Sequence, residues 1–252
     1  MATGQGSVGR VRVFEDFMSM PDDGGLTIVD ATGVAFNNLR LNAVSGDVVM
    51  DQVVTLGGGV ASFSGAGAAA DGISISTAPL IPADGPIVVE TRFKYAAWAD
   101  AQLFVGLQET YDRDEPVNPF TLSGTTLTDN NTGETWGFYY DTAATTDDFR
   151  AAASAAGTIL SASGTLGVRA NATLTADAFV IVRVELNPAG GGEIYMDDGS
   201  GKGMRLIDVL PNGSLSTTAV YHPNVHLCAQ STGDELMSVD YVLVEGGRSW
   251  TA

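Results

Sequence analysis

The chain has 252 residues (26.1 kDa), 44% of them hydrophobic and 17% charged, with 30 acids against 12 bases for a net charge of −18. That apolar content argues against global disorder, and a chain this long buries roughly 70–75% of its unfolded surface, enough for an ordinary core. One Cys excludes an intrachain disulfide framework and a Cys-based zinc cluster, while ten Arg and two Lys scattered from Arg10 to Arg248 leave no phosphate-tracking patch for nucleic acid or an anionic membrane surface.

Residues 1–12 read as a flexible arm, because six of the first ten are Gly, Ser, Thr or Gln. The arm lacks the roughly 7–15-residue apolar stretch of a secretory signal, so synthesis in a cytoplasm without standard export is expected. Residues 13–252 read as one domain with no internal linker. Weak strands are predicted over 11–17, 34–41, 48–54, 60–63 and 72–76. The first strong one is PIVVETRFKY, where Ile87, Val89, Thr91, Phe93 and Tyr95 alternate with Glu90, Arg92 and Lys94, the pattern of a half-buried antiparallel strand. AQLFVGLQE repeats it with Leu103, Val105 and Leu107, and ETWGFYYD with Trp136, Phe138 and Tyr140.

Residues 147–156 (DDFRAAASAA) suit a helix by Ala content but lack a wide apolar stripe, so helix and strand both stay open there. FVIVRVELNPAGGGEIYMDD reads as a hairpin, with Val180, Val182, Val184 and Leu186 inward and Ile194 and Met196 returning. VHLCAQ and SVDYVLVEGGR supply two closing strands. Many short strands with turn signals about every ten residues indicate an all-β antiparallel sandwich or jelly roll.

Few residue clusters suggest chemistry. His222, His226 and Cys228 lie close together, but on a strand His226 and Cys228 would have Cβ atoms roughly 6.6–7 Å apart, beyond direct nucleophile–base contact. The strand carboxylates Glu90, Glu109, Glu185 and Asp240 stand singly, without the Glu-x-Asp-x-Glu run of a jelly-roll hydrolase. The acidic turns at 22–25, 112–115 and 197–201 lack EF-hand spacing and match ordinary β-turn chemistry. No cofactor is therefore expected, with a structural Ca²⁺ at one of these turns as the alternative. Trp136 reads as core. Trp98 and Trp250 are the candidates for sugar stacking if exposed, and otherwise for packing or an interface.

The stretches GSVGRVRVFEDF, PFTLSGTTLTD, GFYYDTAATTDDFRA, GTLGVRA and AQSTGDELMSVDYVLVEGGRSW span most of the chain. In them the chain resembles virion structural proteins of tailed bacteriophages that adopt a concanavalin A-like (laminin-G-like) jelly roll. The resemblance implies a non-enzymatic capsid decoration or cement protein on the virion, held by the major capsid protein and forming a homo-oligomer, expected to be a trimer. The arm, with Val8, Arg10 and Arg12, is then the expected partner contact, ordering on binding. The alternative is a carbohydrate-binding lectin-like module on the virion; a polysaccharide-cleaving enzyme ranks below both.

Overall fold

Apolar side chains at alternate positions, punctuated by Gly, Pro, Asn and Asp, give strands throughout a computed structural model that describes residues 10–18, 25–29, 32–44, 46–53, 59–65, 71–99, 101–112, 116–123, 126–142, 150–160, 175–229 and 236–247. In chain order the early strands are β1 (Arg10–Glu15), β2 (Leu26–Ile28), β3 (Val34–Phe36), β4 (Leu39–Val44), β5 (Val48–Gln52), β6 (Ala61–Ser64) and β7 (Gly72–Ser76). The middle ones are β8 (Ile87–Tyr95), β9 (Ala101–Gln108), β10 (Phe120–Ser123), β11 (Thr126–Asp129), β12 (Thr135–Asp141), β13 (Arg150–Ala155), β14 (Thr158–Ile159), β15 (Val180–Leu186), β16 (Gly192–Asp197) and β17 (Arg205–Leu210). Two long strands close the chain, β18 (His222–Ala229) and β19 (Leu236–Gly247). Among the described residues the only helical element is a 3-10 turn at Pro82–Asp84.

All pairings are antiparallel and form two large sheets. One has nine strands in the order β17-β16-β15-β8-β19-β6-β5-β2, with β1 also on β19; the other has eight, β14-β13-β12-β9-β18-β7-β4-β3. A separate hairpin joins β10 to β11. In both sheets a closing strand lies in the middle. β19 joins β6 to β8, and β18 joins β7 to β9, so the last two strands link the first third of the chain to its central third.

The inner faces meet in one core. Val89, Phe93, Val182, Val184, Val242 and Val244 come from one sheet, and Leu103, Val105, Phe138, Val225 and Leu227 from the other, all buried. Each such side chain contributes about 1.5–3 kcal/mol by leaving water. The inward residues expected for 87–95 and 180–197 are the inward ones here.

Two expectations change and one open reading is resolved. Arg10, Val11 and Arg12 are not arm but strand, paired to Gly247, Gly246 and Glu245, because Val11 and Val13 find apolar cover on the core. Residues 150–155 are strand, since pairing with β12 supplies backbone partners and outweighs Ala helix propensity. The 34–41 strand is a hairpin instead, turning at Asn37, whose φ of 52° an Asn tolerates. A bulge in β19 between Val239 and Tyr241 lets Met237 and Val239, then Val242 and Val244, all point inward.

Candidate binding faces of the sandwich

The outer face of the eight-stranded sheet is covered by the chain itself. Phe104, Tyr139 and Ala152 pack there under Phe120 and Leu122 of the β10–β11 hairpin, forming a second apolar cluster. Gly106 and Gly137 make room for this, because a Cβ on either would come within 2.6 Å of the Phe104 ring. Beside it the Tyr139 hydroxyl donates to Asp141 Oδ2 at 2.5 Å, and Gln102 Nε2 donates to the same oxygen at 3.0 Å. Burial and the Asp141 charge push the Tyr139 pKa far up.

Towards β18, β7 and β4 the same face turns polar while staying buried: Gln108, Asn224, His226, Ser74, Ser76 and Asn42 are each at most 2% exposed. The Tyr111 ring stands 5.6 Å from His222 and 6.1 Å from His226, and its hydroxyl lies 2.7 Å from Ser74 Oγ. His226 Nε2 donates to Gln108 Oε1 at 3.3 Å, and burial pushes its pKa down to about 3, so the ring is neutral. Burial pushes the Cys228 thiol up to about 12, with the charge of Asp71 adding to it. A protonated thiol and a His already committed to Gln108 make no nucleophile–base pair.

Among the described residues the outer face of the nine-stranded sheet is open. The register aligns Leu206, Tyr195, Arg183, Glu90, Leu243 and Phe14 across six strands. Arg183 Nε donates to Glu185 Oε1 at 2.5 Å and its Nη1 lies 3.5 Å from Glu90 Oε2. Burial alone would lower the Arg183 pKa, but Glu185 and Glu90 outweigh it and the net shift is upward. The Tyr241 hydroxyl donates to Glu90 Oε1 at 2.7 Å, and that of Tyr195 to Glu193; the latter bond, ahead of burial, pushes the Tyr195 pKa up to about 12. Arg92 pairs with Asp240 and sits 4.1 Å over the Phe179 ring, and Lys94 pairs with Asp177.

Among the described residues ten large apolar side chains are exposed, and five of them, Phe14, Val49, Leu206, Val209 and Leu236, project from this open face. Sequence alternation missed them as a group. The signal was there in part: Arg183 and Tyr195 occupy the outward phase between Val182 and Val184, and between Ile194 and Met196.

The sequence-stated sites disperse. Arg12 Nε and Arg10 Nη2 lie 3.0 and 3.8 Å from Glu245, so the local positive charge expected to meet a partner already has an acidic neighbour on β19. Val8 and Trp250 lie outside the described residues. Trp98 is not an exposed stacking surface. It is 7% exposed among Phe93, Tyr95 and Tyr140, and its Nε1 donates to the Thr175 carbonyl at 3.2 Å.

The acidic turn at 197–201 satisfies its own backbone: Asp197 accepts from Gly199 N–H and Asp198 from Ser200 N–H, each at 3.0 Å. Asp198 Oδ2 also meets Arg205 at 2.7 Å, so a Ca²⁺ there would face a cation. The other two acidic turns lie mostly outside the described residues. Among the described residues, no three His, Cys, Asp or Glu side chains converge to hold a metal.

No family model and no curated protein matches the sequence. Solved structures do match. A protein of unknown function from Shewanella oneidensis MR-1 is similar over 100% of this chain and 92% of its own, with a TM-score of 0.57 and 16% identity. Peanut lectin is similar over 95% and 99%, at 0.54 and 10%. The CBM2 module of the evolved Dit of Lactobacillus casei BL23 phage J-1 is similar over 96% and 99%, at 0.53 and 11%. Likeness at these identities is likeness of fold: the chain is a lectin-type, concanavalin A-like jelly-roll sandwich.

Proposed function

We propose that the chain is a non-enzymatic structural protein of a bacteriophage particle, seated on the major capsid protein through the open outer face of the nine-stranded sheet. The observation that carries this is the gathering of five exposed apolar side chains with Tyr195, Tyr241, Arg92 and Arg183 on that one face. Aromatic residues and Arg are the side chains that protein interfaces concentrate. Eight strands about 4.8 Å apart and about 20 Å long offer roughly 700 Å² of flat area, near the ≈ 800 Å² per partner of a stable interface.

The phage assignment rests on the sequence resemblance, and likeness to a phage Dit module supports it. The opening and closing stretches of that resemblance meet as β1 on β19. Purified particles should contain the protein at fixed copy number by quantitative mass spectrometry, and the isolated protein should be a homo-oligomer, expected to be a trimer, by light scattering. The double variant Leu206→Glu/Val209→Glu should reduce occupancy at least tenfold. Wild-type occupancy by that variant, or absence from particles, would falsify the assignment.

Glycan recognition by the same face is a second reading. The Tyr195 hydroxyl is tied to Glu193, two residues earlier on its own strand, and that of Tyr241 to Glu90 on the neighbouring strand. Two partly exposed tyrosines held in this way on one face are the kind of amphipathic aromatic side chain that a sugar can pack against. Similar structures named as a lectin and a carbohydrate-binding module support this reading. On a glycan array a bound sugar should be lost in Tyr195→Ala and Tyr241→Ala; an array without a ligand removes the reading. Polysaccharide cleavage is not proposed, because an acid–base pair needs two carboxyls in contrasting environments, whereas Glu90 and Glu185 share Arg183 on an open face.

A further inference from the structure

On the covered face of the eight-stranded sheet, β7 and β18 bring four polar side chains into a square. Ser74 is the register partner of His226, and Ser76 of Asn224. Facing Cβ atoms on such strands are about 4.5–5.5 Å apart, and positions two residues along about 6.6–7 Å. All four side chains are at most 1% exposed.

Their hydrogen bonds can be followed atom by atom. Ser74 Oγ is matched to the Tyr111 hydroxyl, and Asn224 Nδ2 donates to the His222 carbonyl at 2.9 Å. His226 Nε2 donates to Gln108 Oε1, which leaves Nδ1 as a lone-pair acceptor. Three buried atoms of the square then have no partner in the protein: Ser76 Oγ, Asn224 Oδ1 and His226 Nδ1. Buried polar atoms left unmet are rare, because each has given up its water. Here three fall within one square, next to the Tyr111 ring.

We propose that Ser76, Asn224 and His226 form an internal site for O–H donors, occupied by one or two hydroxyl groups. The two acceptors, Asn224 Oδ1 and His226 Nδ1, are neutral, and Ser76 can both give and take a hydrogen bond. An oxygen between Ser76 and Asn224 donates one hydrogen to Asn224 Oδ1 and takes the Ser76 proton, and a second donor serves His226 Nδ1. Carboxylate or phosphate would set lone pairs against lone pairs and is refused. The hydroxyl comes either from water or from a small polyol such as a monosaccharide.

Two measurements on the full chain separate these sources. Crystals grown from salt without polyols should show one or two isolated oxygen peaks at about 2.7–3.2 Å from these atoms. In parallel, protein carrying ¹⁵N-labelled His is titrated with glucose, galactose or mannose at tens of millimolar while the His226 ring nitrogens are followed. Isolated peaks with unmoved resonances assign the site to water; resonances that saturate with one sugar assign it to a polyol. A site without ordered oxygen, in which the three atoms bond other protein groups and no sugar moves His226, overturns the proposal.

Discussion

Phe104 on the eight-stranded sheet and Phe14 on the nine-stranded one both point away from the core, yet Phe104 is fully buried and Phe14 is 49% exposed. The first lies over two glycines under a hairpin that exists to cover it. The second lies opposite Leu243 with its ring 5.7 Å from that of Tyr241. Outward positions of the first sheet therefore belong to a second small core and to a buried polar square, whereas those of the second sheet meet solvent and whatever docks there. Both sheets turn apolar side chains inward at alternate positions. Among the described residues, what differs is the hairpin and the loop carrying Tyr111, which lie over the eight-stranded sheet.

The largest expected effect tests the covered side. Phe104→Ala should lose about 3–5 kcal/mol in urea unfolding, the usual range for emptying a buried aromatic site, while Phe14→Ala should stay within about 0.5 kcal/mol. Equal losses would erase the distinction between the faces.

Acid should act next, again on the covered side. His226 titrates at about 3 when folded against 6.5 when free, so the unfolded chain takes up the proton first. Its contribution is whole above about pH 6.5 and is lost as pH falls towards about 3, by about 1.4 kcal/mol per pH unit. By pH 5 the wild type should have lost about 2 kcal/mol from this source, and His226→Gln should show a correspondingly shallower decline in melting experiments between pH 7 and 5.

A smaller change is expected on the open side. Arg183→Met leaves Glu90 and Glu185 without their shared cation, but the side chain is 37% exposed, so the loss should be at most about 1 kcal/mol and should shrink in high salt. A larger, salt-insensitive loss would mean that this face is not open. Smallest of all, Leu206→Ser with Val209→Ser should leave stability within about 0.5 kcal/mol while weakening attachment to particles.

The sandwich was legible wherever one side of a strand is apolar and the other charged, as in β8 and β15. It was less so where both sides are covered: Phe104 and Tyr139 sit in the outward phase, and nothing local says that Phe120 and Leu122 will cover them. β17 and β19 carry bulges that break the two-residue period, so β17 went unseen and the outward placement of Tyr241 could not be read. Whether Trp98 packs or stands exposed was not legible locally, because the rings that bury it come from Phe93, Tyr95 and Tyr140, two of them on β8 and one on β12. The open face was half legible, through the outward phase of β15 and β16. Its apolar members are spread over β1, β5, β17 and β19, and only pairing gathers them.

The central position of β18 and β19 also bears on how the molecule comes into being. Neither sheet has its middle until residues 222–247 arrive, so the earlier strands of each sheet wait as two unjoined groups with bare edges. The central pairings of both sheets, β8 with β19 and β9 with β18, join strands more than a hundred residues apart, which places the chain among slow folders, in the millisecond-to-second regime or beyond. Neither sheet could close before residues 222–247 had been made, and a chain lacking them would expose unpaired, aggregation-prone strand edges.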